Sequence, residues 1–301
     1  MKKLQLVIVI LLTALFLFSC GEKTPSQKVE MASNSLNKSI ESILSINSIS
    51  YVSNYEQKLT KGDDTITTIN TSEIKRIDEP FVIWNKVLNT ESHTNAQTKE
   101  TSLESYLERT KNGLEMFYRG RDTEWTKSTM NDTNQINQYI KNSKAFIEAC
   151  YYLLNTNSDS FKMIENKDGL LKFSGNISQS SVIEAYEKYF REFYIDGGLI
   201  EGDKEISNKD ALLKEITSGK IYELMVGIPS LAFSDKPTPL IIWVNAKNNV
   251  ISRIEINKIN VTQAILNKTF GETNNIPKVE KSILTYDVLE INTFGEIPMP
   301  Q

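Results

Sequence analysis

Residues 49 to 77 read ISYVSNYEQKLTKGDDTITTINTSEIKRI. Two runs rich in Ile, Val, Thr and Tyr flank Lys61-Gly62-Asp63-Asp64. β-branched and aromatic side chains suit a pleated, half-buried surface, while Gly and Asp are turn residues. The spacing predicts a β-hairpin turning about Gly62, and a hairpin makes its sheet antiparallel. Further strands are expected at 81 to 92, 97 to 108, 113 to 119 and 122 to 129, so the first half of the chain reads as a meander. Upstream, Val29, Ala32, Leu36, Ile40, Ile43 and Leu44 recur every three or four residues, which places one apolar stripe on a helix.

Downstream, the pattern changes period and then returns. A helix is expected from Asp132 to Leu154, with Ile136, Tyr139, Ile140, Phe146, Ile147, Cys150, Tyr151 and Leu154 on its apolar face. A second hairpin follows, SFKMIE then LLKFSGNI, turning at Asp168-Gly169. Helices are expected over 179 to 194 and 207 to 217, the second capped by Ser207 or Asn208. Strands are expected over 219 to 228, 239 to 246, 250 to 265 and 278 to 291. About ten or eleven strands and four helices place the chain in the α+β class, with its simplest form one antiparallel sheet.

The chemistry of a catalyst is sparse. The single histidine, His93, lies in a polar stretch that reads as a turn, so a histidine-based triad has no natural base and a His-rich metal site is excluded. No nucleophile elbow, phosphate-binding loop, calcium loop or dinucleotide fingerprint occurs, and no pattern asks for a cofactor. Ser35-Leu-Asn-Lys38 and Ser72-Glu-Ile-Lys75 fit Ser-x-x-Lys formally, a match expected by chance in a chain rich in Ser and Lys. The expectation is a protein with no catalytic residues, no metal and no enzymatic activity.

The N-terminus carries an address. Lys2 and Lys3 precede an uncharged apolar run, LQLVIVILLTALFLF, from Leu4 to Phe18. Fifteen residues span about 22 Å at about 1.5 Å each, short of the roughly 30 Å of a bilayer core, which favours a signal peptide over a permanent span. Leu17, Phe18, Ser19 and Cys20 resemble the lipobox of bacterial lipoproteins, with Phe18 bulkier than the residue usual there. That resemblance implies cleavage after residue 19, a diacylglycerol on Cys20, and a chain held on the extracytoplasmic face of the cell membrane. Residues 20 to 27 then serve as lipidated cysteine and tether, and 28 to 301 as one domain. Removing residues 1 to 19 leaves 282 residues with 32 basic and 38 acidic side chains, a net charge of −6 that argues against nucleic acid as a partner. Cys150 would be the only free thiol, so no internal disulfide forms, and its place on an apolar helix face reads as core.

Three segments carry a further resemblance: GLEMFYRGRDTEWTK at 113 to 127, PLIIWVNAKNNVISRIEI at 239 to 256, and VEKSILTYDVLEINTFGEIPMP at 279 to 300. In this order they resemble an uncharacterised family of Gram-positive lipoproteins related to the LolA/LppX-like lipoprotein carriers and lipid-binding lipoproteins. Tyr118, Gly120, Trp125 and Lys127 match the first motif, and Ile297-Pro298 the close of the third. Gly120-Arg121-Asp122 makes a shorter turn than the family often carries, which leaves the strand register there open. The resemblance implies a strongly curved antiparallel sheet, a half-barrel, with helices on its concave side enclosing an apolar cavity for acyl chains or another hydrophobic ligand. On a two-residue period, Leu114, Met116 and Tyr118 form one face of their strand, and Val250, Ile254 and Ile256 one face of theirs, so these six are the candidate cavity wall. Plain core is the competing reading for each, and Trp84, Trp125 and Trp243 read as core or rim. Two functions follow: a lipid or hydrophobic-ligand binder that presents or transfers its ligand at the membrane, or an envelope interaction lipoprotein with a filled interior and a protein partner. A cavity of several hundred Å³ favours the first, continuous packing the second.

Overall fold

The computed structural model describes residues 25–94, 96–196, 208–217, 227–271 and 276–299. The signal peptide, Cys20 and nearly all of the strand expected over 219 to 228 lie outside the described residues.

Eleven strands form one antiparallel sheet: β1 Ser48–Lys61, β2 Asp64–Ile77, β3 Val82–His93, β4 Ala96–Thr110, β5 Gly113–Gly120, β6 Thr126–Met130, β7 Lys162–Lys167, β8 Leu170–Ile177, β9 Thr238–Asn245, β10 Val250–Asn257 and β11 Lys278–Ile291. Their order is β6-β5-β4-β3-β2-β1-β11-β10-β9-β8-β7, so two meanders run outward from a central pair made by the first and last strands. The sheet is curved and unclosed, with β6 and β7 as its edges. The opening hairpin pairs Ser48 with Ile77 through to Lys61 with Asp64, around Gly62 at φ +60°. The β7–β8 turn places Asp168 and Gly169 at φ 53° and 79°, the left-handed pair that a two-residue turn needs.

Three of the helices, the first, the second and the fifth, lie where period and caps place them. The described helices are α1 Pro25–Ser42, α2 Thr133–Thr156, α3 Gln179–Ala185, α4 Arg191–Asp196, α5 Lys209–Thr217 and α6 Ile259–Phe270. Asp132 caps α2 by accepting from the amides of Asn134 and Gln135 at 2.8 and 3.0 Å, and Asn208 Oδ1 caps α5 from the amide of Ala211 at 2.9 Å. Two expectations need correction. The helix over 179 to 194 is α3 and α4 joined by a π-helical turn at Tyr186–Phe190. The strand over 250 to 265 ends at Asn257, whose Oδ1 accepts from the amide of Ile259 at 3.1 Å and turns the chain into α6. Val261, the buried apolar residue there, sits on a helical face and not in a strand alternation.

The main core fills the concave side. Ala32, Leu36 and Ile40 of α1 and Ala149, Leu153 and Leu154 of α2 pack on Phe173, Leu240, Ile242 and Val244 of the sheet. Under the first half of α2, Ile136 and Ile140 cover Leu114, Met116, Met130, Leu107 and Phe81. A smaller cluster forms on the convex face, where Ile297 and Phe294 of the C-terminal segment cross Ile77, Val82 and Tyr106, and Tyr106 Oη donates to the carbonyl of Ile297 at 3.3 Å.

Candidate functional site

Helix α2 runs over both halves of the concave face, but its two halves do different things. The first half packs through Ile136 and Ile140 on the Leu114 cluster. The second half, with Phe146, Ile147, Cys150, Leu153 and Leu154, roofs a cavity of about 160 Å³. The last turn of α1 and the 3₁₀ turn Ile43–Ser45 after it add Ser39, Ser42 and Ile43 to the wall, and the 3₁₀ turn Ile228–Phe233 adds Ile228 and Leu231. Ile49 and Tyr51 of β1, Leu284, Tyr286, Val288 and Ile291 of β11, and Ile251, Ile254 and Ile256 of β10 make the floor.

Two β-bulges shape that floor. Between Ile251 and Arg253 the β9–β10 register slips by one residue, and in β11 the pairing with β1 jumps from Glu290 to Val288. A bulge adds one residue to one strand, so residues three apart come to share a face. Ile251 and Ile254 therefore both point into the cavity, as do Val288 and Ile291, while Leu289 is turned out and 57% exposed.

The six candidate wall residues separate accordingly. Ile254 and Ile256 line the cavity. Val250 does not, because the bulge after it reverses the alternation and gives its place to Ile251. Leu114 and Met116 face the same side of the sheet but belong to the packed cluster under Ile136, and Tyr118 beyond them is 46% exposed. The three tryptophans stand away from the cavity, each beside a cation: Lys75 over Trp84, Arg119 over Trp125, and Lys172 and Arg253 over Trp243, at 4.6 to 5.3 Å.

The wall is nearly all hydrocarbon, and its polar members are few. The hydroxyls of Ser39 and Ser42 donate within α1, to the carbonyls of Ser35 and Ser39 at 2.8 Å. Burial pushes the Cys150 thiol up to about 12, which makes it a poor nucleophile. Burial also raises Tyr51 to about 12 and Tyr286 further, and the two rings meet edge to face at 6.0 Å. Two charged residues complete the lining, Arg76 and Lys258. Arg76 Nε donates to Asp78 Oδ1 at 2.7 Å and Nη1 to the carbonyl of Ser143 in α2 at 2.6 Å. Lys258 stands at the N-terminus of α6 with no side-chain cap bond, and desolvation pulls its ammonium down to about 8. Neither residue carries a motif signal in the sequence. Arg76 looks like one charge of a strand end, and Lys258 like part of a continuing strand.

Catalytic groupings are sparse among the described residues. No cluster of three or more His, Cys, Asp or Glu residues could hold a metal. His93 closes β3 at the surface, 2.7 Å from Glu91 Oε1. Ser35 Oγ donates to Asn249 Oδ1 at 2.6 Å, and Lys75 pairs with Glu73, so the two Ser-x-x-Lys matches are taken up in ordinary contacts.

No protein-family model matches the chain, and no curated protein matches it in sequence. Among solved structures it is similar to LprF from Mycobacterium bovis, at 10% identity and a TM-score of 0.38, over 93% of this chain and 99% of that one. It is also similar to a DUF1329 family protein from Desulfovibrio piger, at 10% identity and a TM-score of 0.21, over 87% of this chain and 92% of the other. Likenesses this distant carry no argument about function, which rests on the cavity itself.

Proposed function

We propose that this protein is a lipoprotein, anchored through Cys20 to the extracytoplasmic face of the cell membrane, that binds a lipid or other hydrophobic ligand between its curved sheet and helices α1 and α2, without catalysis. The observation that supports this most is the unfilled apolar cavity. Protein interiors are close-packed, so an apolar ligand placed in this unfilled space would make van der Waals contacts that the protein does not make with itself. The volume matches an engineered apolar cavity of about 150 Å³ that takes benzene, and lies below the roughly 300 Å³ at which ordinary ligand sites begin. In this form the site therefore holds a ring or a few methylenes. The lipobox and the order of the three sequence segments point to the same class of protein.

Native mass spectrometry with organic extraction tests the reading on residues 21 to 301, which contain every described element. A stoichiometric copurifying or added lipid is expected. A mass that stays free of ligand after incubation with membrane lipids would turn the assignment toward a protein-binding lipoprotein. Anchoring has its own test: a hydroxylamine-resistant lipid label on the full chain, expected to vanish in Cys20→Ala.

A further inference from the structure

The ligand's chemistry can be narrowed from two hydroxyl groups, on the premise that the cavity is a ligand site. Tyr51 of β1 and Tyr286 of β11 lie on the cavity floor at diagonal positions of paired strands, Tyr51 opposite Val288 and Tyr286 opposite Ser53. A buried tyrosine ordinarily finds a partner for its phenol. Tyr55 Oη meets Ser282 Oγ at 3.2 Å, Tyr106 Oη donates to the carbonyl of Ile297 at 3.3 Å, and Tyr186 Oη donates to Glu215 Oε1 at 3.0 Å. Tyr51 Oη and Tyr286 Oη have no hydrogen-bond partner among the described residues, although both side chains are withdrawn from bulk water. The side-chain atoms there that are both unpartnered and fully enclosed are Arg76 Nη2, Asn85 Oδ1 and Arg253 Nε. The two phenol oxygens are not among them, so each keeps accessible surface, and in a deeply buried residue of the lining that surface is the cavity's own.

The two hydroxyls share one part of the cavity, under the roof at Cys150. Their rings meet edge to face at 6.0 Å. Burial is the main reason that both phenols resist ionisation, and the Cys150 thiol adds to it in each, as Tyr51 does for Tyr286. Both therefore stay protonated and act as donors, and a donor taken out of water and left unmade is costly. A ligand that is hydrocarbon throughout would leave both unmade. A neutral carbonyl oxygen offers two lone pairs and brings no proton that needs an acceptor of its own, so it can take either donor or both. The floor is apolar on each side of the pair, with Val288 and Ile291 toward one end and Leu284 and Ile256 toward the other. That order suits a carbonyl within an apolar molecule and not a polar head at its tip.

We propose that the ligand is an apolar molecule with a neutral carbonyl set within it, as in a fatty ester or a ketone, and that the hydroxyls of Tyr51 and Tyr286 donate to that oxygen. Acetophenone and ethylbenzene test this, because they share one ring and differ by a carbonyl in place of a methylene. Calorimetric titration of residues 21 to 301 gives the ratio of the two affinities. In a double variant, Tyr51→Phe with Tyr286→Phe, the ratio is expected to shift about ten-fold or more toward ethylbenzene. The carbonyl stretch of bound acetophenone is expected to move up toward its value in an alkane in the same variant. Phenylalanine keeps the ring and removes a hydroxyl that makes no bond in the protein, so urea denaturation without ligand is expected to find the double variant at least as stable. An unchanged ratio overturns the inference and leaves the cavity reading standing. A less stable double variant shows the hydroxyls to be bonded within the protein and also overturns it. Tighter binding of 1-phenylethanol than of acetophenone assigns an alcohol and overturns the carbonyl. Binding of none of the three probes removes the cavity reading itself.

Discussion

Replacing Lys258 by Met should stabilise the folded protein at neutral pH and do less at high pH. In the folded chain, desolvation moves the ammonium from 10.5 to about 8, and at about 1.4 kcal/mol per unit that difference is worth roughly 3 kcal/mol. Lys258 is only half-buried, so water relieves part of it and about 1 to 3 kcal/mol is the realistic range. The sign follows from proton counting. Between pH 8 and 10.5 the unfolded chain binds the proton and the folded chain does not, so this group makes stability rise with pH across that window. Below pH 8 both states are charged, and the folded state carries the full cost of a cation in an apolar wall at a helix N-terminus. Methionine keeps the stem volume and removes the charge. Urea denaturation of both proteins at pH 7 and pH 10.5 measures the difference, with Met more stable at pH 7 and the gap closing at pH 10.5. A gap of the same size at both pH values, or a Met variant less stable at pH 7, would refute the desolvation argument.

Other expectations follow from placement. Ile254→Glu puts a carboxylate on the cavity floor and should abolish retention of a hydrophobic ligand by native mass spectrometry, whereas Glu115→Ala, away from the cavity, should leave it unchanged. Leu114 has no exposed surface, so Leu114→Ala should cost about 2 to 5 kcal/mol in urea denaturation, while Tyr118→Ala on the same face should stay within about 0.5 kcal/mol. Cys150, held near 12, should react with a thiol reagent at pH 8 about 10³-fold more slowly than a free cysteine until the protein is unfolded, and prompt labelling of the native state would show the roof of the cavity to be open.

The strands that sequence locates well are those in which turn chemistry and alternation agree. Gly62 and Asp168-Gly169 need left-handed backbone, and the runs beside them alternate, so both hairpins are legible from local rules alone. The wall of the cavity is less legible, because alternation assumes an unbroken ladder. One extra residue near Ser252 moves Val250 off the face that Ile254 occupies, and nothing in ISRIEIN announces the slip. The join of β10 to α6 hides for a related reason: Asn257 makes the turn through its own side chain, in a stretch whose isoleucines read equally well as strand. Arg76 and Lys258 could not have been singled out, since a charged residue on a strand end or after a strand is ordinary until its surroundings are known.

The pairing of β1 with β11 has a consequence for the order of events during folding. Ile49 lies opposite Ile291, so the centre of the sheet joins residues 242 apart in the chain, whereas every other pair within the first meander is a neighbouring hairpin. Local hairpins close quickly and long-range pairings late. The two meanders should therefore form as separate halves while the cavity, whose floor straddles β1, β10 and β11, does not yet exist. Pulse-labelled hydrogen exchange during refolding should find the amides of β1 facing β11 protected after those of the β2–β3 and β9–β10 hairpins. Until that last seam closes, the apolar surfaces that will face one another across the cavity are open to anything apolar nearby.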